Sequence, residues 1–513
     1  MKIAVLILLV SLTTQAFAKR IQIIHTNDLH SYFTGQGPEQ GGYYRVKALI
    51  DELKKNAQDQ GISSIVLDAG DFGEGSYHFL VDDGIESFKS LDRLGVDAAV
   101  IGNHDYMFGG KKLSEQIRDA NISTVFLGAN IAPTEDMKLD GVIYPSVRFD
   151  VEGVEIEVIG LATPALHFMY AFRPGLIFPP NNVSMAHSRL AREQGVDLIV
   201  ALTHLGVAGD MSLVKADPEI DLVIGGHSHT RLESSLNVKN SEGRTIPIVQ
   251  TGAHGMAVGS LIIDVNGPKD YKVVKYQLFD TDSTVKPDPV MFKYATEFEE
   301  YAKDKLSDGR WDEVIGSSDI TLAGYKDGNH DNGDGCWIKH LGEIVKEESD
   351  SDIGLFLGSF TGKEIKPGPI TVGNIIENFP HLNKYNQKGW EVAKFEIKGY
   401  KILALLLGII NLNIPDGHIP SIGGIEFSTF KIPASIPYIG GKTFFTHLNI
   451  NNQGFEWKKN YTLALPYEFK KMLDGLLPGF LRTYFPVDFE RDNYFLWNMA
   501  ERYISKHSPL SCE

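Results

Sequence analysis

His25-Thr26-Asn27-Asp28-Leu29-His30 closes the first apolar run of the mature-looking chain, Ile21–His25, and sets an aspartate and a histidine two positions apart. Four later segments repeat the arrangement: AGDFG (Ala69–Gly73), GNHD (Gly102–Asp105), THLG (Thr203–Gly206) and GGHSH (Gly225–His229). Each comes after a short apolar, strand-like run. In an α/β sheet, the loop leaving the carboxyl end of a strand projects into a shared crevice. Five loops rich in Asp, Asn and His are therefore expected to converge. Carboxylates, an amide oxygen and neutral imidazoles together suit divalent ions such as Mn, Zn, Fe or Mg. The expectation is a site for two of them and hydrolytic chemistry.

Between these loops the pattern alternates. Tyr43–Lys55 has helical spacing after Gly41-Gly42, Ile65–Leu67 reads as a buried strand, Ile85–Leu94 as a helix and Ala98–Ile101 as a strand. Val142–Phe149 and Val154–Leu161 suggest a hairpin around Glu152-Gly153. A helix over Met185–Gln194 leads to the strand Leu198–Leu202, and Leu222–Ile224, Ile246–Gln250 and Leu261–Val265 complete the unit. The fold class expected is α/β, two packed sheets flanked by helices. Lys286-Pro287-Asp288-Pro289 interrupts regular structure, and Phe292–Leu306 has the composition of a solvated connecting helix. Beyond Trp311, Gly, Pro and aromatics rise. The division expected is a leader at 1–18, a catalytic domain at 19–283, a linker helix at 284–310 and a smaller α+β domain at 311–513.

At 513 residues, two domains are the default. The net charge of −17 argues against a nucleic-acid polymer as partner, which would need a basic face. A small anionic substrate stays open, because bound cations supply local positive charge. Lys2, the apolar run Ile3–Leu12 and Ala16-Phe17-Ala18 read as a secretory signal peptide cut after Ala18. That run is shorter than the ~20 residues a span needs, so no stable membrane anchor is expected. Lys401–Ile410 is short too and fits a core helix. The protein is expected to be exported, periplasmic or secreted. The two cysteines, Cys336 and Cys512, could form a bridge in such a compartment. Oligomeric state is not legible.

Within the loops, Asp28 and His30 can point to one side of the crevice. Asp71 comes after a glycine that lets the backbone turn its carboxylate inward, and one carboxylate can bridge two cations roughly 4 Å apart. Asn103 offers a neutral oxygen; His204, His227 and His229 offer imidazole nitrogens. His25, at the end of its strand, is read as support rather than ligand. His254 could line the crevice. A second GNHD, Gly328–Asp331, lacks a preceding strand and is read as a turn.

The order D-x-H, GD, GNHD, H, GHxH resembles the calcineurin-like metallophosphoesterase superfamily. TNDLH, GGYYRVKALID and GGHSH are similar to its secreted 5′-nucleotidase/2′,3′-cyclic phosphodiesterase branch. The resemblance implies a two-sheet metallophosphoesterase sandwich followed by a 5′-nucleotidase-like domain. It implies one metal on Asp28, His30, Asp71 and His229, and another on Asp71, Asn103, His204 and His227. His104 matches the catalytic histidine, which stabilises the transferred phosphoryl group or protonates the leaving oxygen. In that branch GNHEFD carries an aspartate that orients this histidine. Here Met107 stands in its place, and a thioether cannot accept a strong hydrogen bond. Asp105 could substitute, though the turn geometry directs it elsewhere.

The later resemblance is fainter. Gly368–Asn374 is similar to G-x-I-T-x-x-D, and Phe395–Ile402, Ser421–Ile425 and Tyr461–Ala464 match further segments. Where the branch has N-G-G-G-I-R, this chain has Leu357–Gly362 and no arginine, with Lys363 beside the position. The aromatic that stacks on the base aligns with Ile419, while Phe480 could match the other one. The reading is an exported phosphoric ester hydrolase with two divalent ions and a small-molecule phosphoester substrate. A nucleotide leads as that substrate. The alternatives are a phosphatase for non-nucleotide esters and a degenerate relative that binds without turnover.

Overall fold

A computed structural model describes residues 18–37, 39–322, 336–358, 361–381, 389–411, 420–432, 441–476 and 495–511. Residues 1–17 of the expected leader, the second GNHD, Ile419, Phe480, Cys512 and the Cys336 side chain lie outside the described residues. Among those described, no helix is long and apolar enough to cross a membrane.

Two sheets pack face to face. The seven-stranded one runs Asp270–Asp280, Ala257–Gly267, Lys19–Thr26, Ser63–Asp68, Ala98–Val100, Val125–Leu127 and Ile143–Tyr144. The six-stranded one runs Leu236–Lys239, Thr245–Val249, Leu222–Gly225, Leu198–Thr203, Val154–Leu161 and Ser146–Val151. Side-chain alternation shows why their central strands are apolar throughout. Ile21 and Ile23, Ile65 and Leu67, and Leu198, Val200 and Leu202 fill the core between the sheets. Their neighbours face outward: Ile24 and Val66 under the helices of the first sheet, Ile199 and Ala201 under those of the second. Strands covered on both faces need near-continuous hydrophobic runs.

Tyr43–Gln58, Ile85–Leu94 and Gly110–Ala120 cover the outer face of the first sheet through Val46, Ile50, Phe88, Leu91 and Leu113. Pro180–Glu193 and Gly206–Ala216 cover the second through Ala191, Leu213 and Val214. The central strands of both sheets are parallel, so their carboxyl ends open toward one edge.

Two elements differ from the sequence reading. The expected strand Val142–Phe149 is two strands. Ile143–Tyr144 pairs with Val125–Leu127 in the first sheet, whereas Ser146–Val151 pairs with Val154–Leu161 in the second. Pro145 separates them; lacking an N–H, it cannot donate to either ladder. The hairpin turn itself is as expected, with Glu152 and Gly153 both at positive φ (55° and 76°). The helix Pro289–Ser307 is no solvated connector. Asp288 caps it by accepting the Met291 N–H at 2.7 Å, and Met291, Ala295, Phe298 and Ala302 form a buried stripe. That stripe packs on Tyr43–Gln58 and on the turn Tyr77–Leu80.

Beyond it, Val392–Lys398, Asn460–Pro466, Ile353–Leu357 and Pro420–Gly423 form a four-stranded sheet with its own core, including Leu355, Phe395, Ile402 and Leu463. The helix Gly399–Asn411 packs there through Ile402 and Leu406. The C-terminal part meets the N-terminal part where Tyr467–Leu476 packs on Leu166–Phe172 and where Val372–Asn378 packs on Pro289–Ser307.

Candidate metal centre

All five loops reach one edge of the sandwich. Hydrogen bonds between them fix their spacing: Asp28 N–H to Gly70 O, His30 N–H to Asp71 O and His254 N–H to Asp28 O, at 2.9, 2.9 and 2.6 Å. Asp28, His30, Asp71, His227 and His229 all have positive φ, between 49° and 76°. Non-glycine residues rarely adopt that region, and five at one site mark strain retained for function. Gly102 is required by crowding, since a Cβ there would sit 2.1 Å from Asp71 Oδ1.

Two clusters result. Asp28, His30 and His229 form one; Asp71, His204 and His227 form the other. In each, the ligand atoms lie within 4.8 Å of one another. His229 Nε2 is 3.4 Å from Asp28 Oδ1, and His204 Nε2 is 2.9 Å from Asp71 Oδ2. His30 joins them, with Nε2 at 3.9 Å from Asp28 Oδ1 and 3.8 Å from Asp71 Oδ2.

The imidazoles are oriented from behind. His30 Nδ1 donates to Glu74 O at 2.6 Å and His204 Nδ1 to Ala69 O at 2.7 Å. This leaves each Nε2 as the free electron pair, the arrangement that readies histidines for metal. His30 Nε2 and His229 Nε2 then stand 3.0 Å apart. Buried Asn103 Oδ1 has no hydrogen-bond donor. Converging imidazole nitrogens, two carboxylates and an orphaned amide oxygen fit two divalent cations by geometry and donor type.

The local fields differ among the imidazoles: burial opposes charging of His204, yet Asp71 and Asp28 push it up to about 9. Burial would raise the Asp71 carboxyl, but the His204 and His104 imidazoles hold it well below the usual range. Burial lowers His30 to about 4, helped by His104, and lowers His227 to about 3, helped by His204. Both are neutral, as ligation requires.

Of the residues expected from sequence, Asp28, His30, Asp71, His204, His227 and His229 are brought together. Asn103 lies in the adjoining loop, and His104 comes next to it, its N–H donating to Asp71 Oδ1 at 2.8 Å. His254 lines the crevice, its ring 5.7 Å from that of His30 and 5.6 Å from that of His229. His25 is not a support: it is buried without a hydrogen bond and stacks on Tyr276 at 6.0 Å. Lys363 pairs with Glu377 at 2.8 Å, on a cavity of about 490 Å³ lined also by Tyr32, Tyr77 and Trp311.

The expectation that His104 lacks an acidic partner is corrected. Glu74 accepts from its Nδ1, and the other Glu74 oxygen meets His381 Nδ1. Burial opposes charging of His104, yet Asp71 and Glu74 push it up to about 9. Sequence reasoning looks for a carboxylate three places after the histidine, and the fold supplies one from the preceding loop. It also misses Phe168, whose ring lies 5.8 Å from that of His104 and 6.2 Å from that of His227. No spacing signal points to either residue.

Residues 21–231 match the calcineurin-like phosphoesterase family. The chain is 26% identical over 450 residues to the trifunctional nucleotide phosphoesterase protein YfkN of Bacillus subtilis. That match covers 80% of this chain and 29% of the relative, so the chain spans under a third of that protein's length. It is 25% identical over 548 residues to the protein UshA of Yersinia enterocolitica, covering 96% of this chain and 92% of that one. Among solved structures, the fold matches a 5′-nucleotidase precursor from Thermus thermophilus with a TM-score of 0.76. The match covers 96% of this chain and 97% of the other at 20% identity.

Proposed function

We propose that the chain, whose residues 21–231 match the calcineurin-like phosphoesterase family, is an exported metal-dependent phosphoester hydrolase, a nucleotidase working with two divalent ions. The observation that carries the reading is the pair of three-residue clusters joined through His30, with His104 alongside. Asp28, His30, Asp71 and His229 would hold one ion; Asp71, Asn103, His204 and His227 would hold the other. When bound, two such ions polarise a phosphoryl oxygen and lower the pKa of water.

The chain's own groups complete the chemistry. His104 gives Nδ1 to Glu74 and keeps Nε2 for the substrate. As the ester P–O bond breaks, His104 Nε2 passes its proton to the departing oxygen, so the leaving group departs as an alcohol. Phe168 sets an apolar ring 5.8 Å from that of His104. The segment from residue 311 onward is the substrate domain in this reading, and the helix Pro289–Ser307 seats it against the first. Lys2, the run Ile3–Leu12 and Ala16-Phe17-Ala18 support export.

The relative named a trifunctional nucleotide phosphoesterase favours a nucleotide. A non-nucleotide ester is the second reading, favoured by one observation: Lys363, the cation nearest the missing arginine, is engaged by Glu377. Purified protein reconstituted with Mn, Zn or Mg should hydrolyse nucleoside 5′-phosphates or 2′,3′-cyclic nucleotides faster than sugar phosphates. The reverse order selects the second reading, and turnover of no ester with any metal rejects both.

A further inference from the structure

Glu74 is 3% exposed and makes three contacts at once. Its backbone carbonyl orients His30, one carboxylate oxygen takes His104 Nδ1, and the other takes His381 Nδ1. The loop can run so close only because residue 75 is glycine. Gly75 has φ 152°, and a Cβ on it would lie 2.6 Å from His30 Cβ. His381 comes from the other part of the chain and is itself held. It lies just past the helix Val372–Asn378, and Asn378 Oδ1 accepts the Trp337 indole N–H at 3.0 Å. Phe379 is buried and its carbonyl accepts the Trp497 indole N–H at 2.8 Å. The His381 ring lies 5.6 Å from that of Trp390. Two histidines from opposite sides of the junction thus share one buried carboxylate, and a group held by packed neighbours is one that keeps another in register.

We propose that Glu74 and His381 are positioning residues for His104. Glu74 fixes the imidazole through Nδ1, and His381 fixes Glu74, so His104 is aimed for proton donation only while the C-terminal part is docked. This rests on the reading of His104 as proton donor. Glu74 keeps hold of the Nδ1–H and takes no proton; the proton delivered to the leaving oxygen comes from Nε2. Help of this kind matters most when the leaving group is a poor one, such as an alkoxide, and little for p-nitrophenolate.

The test compares wild type with Glu74→Gln and His381→Phe, all loaded with the same metal. Three quantities are read: metal content, the ratio of kcat for an alkyl phosphate to kcat for p-nitrophenyl phosphate, and the imidazole proton resonances of ¹⁵N-histidine-labelled protein loaded with zinc. The His104 Nδ1–H signal is assigned by its loss in His104→Asn. Glu74→Gln is expected to keep its metal and lose that signal. Its alkyl ester turnover should fall about 100-fold, the usual scale for a positioned acid, with a much smaller fall for p-nitrophenyl phosphate. His381→Phe is expected to shift the signal and lower the same ratio by a smaller factor. Equal losses on both esters, or lost metal in Glu74→Gln, would make Glu74 a scaffold of the metal loops and overturn the proposal. An unchanged His104 proton in His381→Phe would remove the C-terminal part from it. Should wild type cleave neither these esters nor a nucleoside 5′-phosphate, the hydrolase reading fails while the proton resonances still decide whether this positioning chain exists.

Discussion

Asp105 Oδ2 accepts the backbone N–H of Asp71 at 3.0 Å, and so the carboxyl group beside His104 is engaged by the loop that carries Asp71. The same oxygen takes the Gly102 N–H at 2.7 Å, and Oδ1 takes the Gly73 N–H at 2.8 Å. Asp105 thereby ties the Asp71 and Asn103 loops together through three backbone N–H groups.

Asp105→Ala should therefore act on metal binding and stability before chemistry. It strands three buried backbone donors, each worth about 1–3 kcal/mol when left unmade. The expected outcome is a lower Tm together with weaker metal binding, read by thermal melts and metal titration. Metal affinity equal to wild type would show that the loops hold their places without it.

Asp71→Ala should remove both ions and nearly all turnover, since Asp71 contacts His204 and His30 and anchors His104 N–H. Elemental analysis gives the answer directly. About two ions still bound per chain would exclude Asp71 as the shared ligand.

His104→Asn should keep its metal and lower kcat by about 100-fold. The imidazole touches Glu74 and the backbone N–H of His104 donates to Asp71, but the imidazole is not needed to complete either cluster. Lost metal with unchanged kcat would reverse the assignment between His104 and its neighbour Asn103.

Met107→Asp should bring no gain on esters with poor leaving groups, although it restores the aspartate of the similar GNHEFD pattern. Glu74 already occupies His104 Nδ1. Selective acceleration of alkyl esters, measured beside p-nitrophenyl phosphate, would mean that Glu74 orients the ring inadequately.

Asp210, hydrogen-bonded to Thr203 beside His204, supplies a pH test. It is buried, and burial raises its carboxyl to about 7 despite hydrogen bonds from Thr203 and Gln250. In the unfolded chain it titrates near ~4. Between those values the folded form holds a proton that the unfolded form lacks, so its contribution is fully present below ~4 and lost as pH rises through 7. Asp210→Asn should flatten that slope, gaining stability relative to wild type between pH 5 and pH 8 in denaturant titrations. Parallel curves for the two proteins would place the Asp210 carboxyl in its ordinary range.

Asp28, His30, Asp71, His204, His227 and His229 were legible in the sequence because each sits a fixed, short distance past a buried strand. Parallel strands in one sheet deliver their C-terminal loops to one edge, so local order along the chain is enough to place these side chains together. The helices Tyr43–Gln58 and Ile85–Leu94 were legible for a similar reason, their apolar spacing. Pro145 also carried its signal locally, though only the paired sheets showed that the chain changes sheet there. Glu74, His381 and Phe168 had no such rule to reveal them. Their roles depend on which way a glycine-flanked loop turns and on how Val372–Asn378 docks against Pro289–Ser307 and Tyr467–Leu476 against Leu166–Phe172. Those contacts join residues tens to hundreds of positions apart, and a carboxylate reaching a histidine through space leaves no periodicity behind. Strand order and loop position place the candidate metal ligands, while only tertiary packing selects the carboxylate partner of His104.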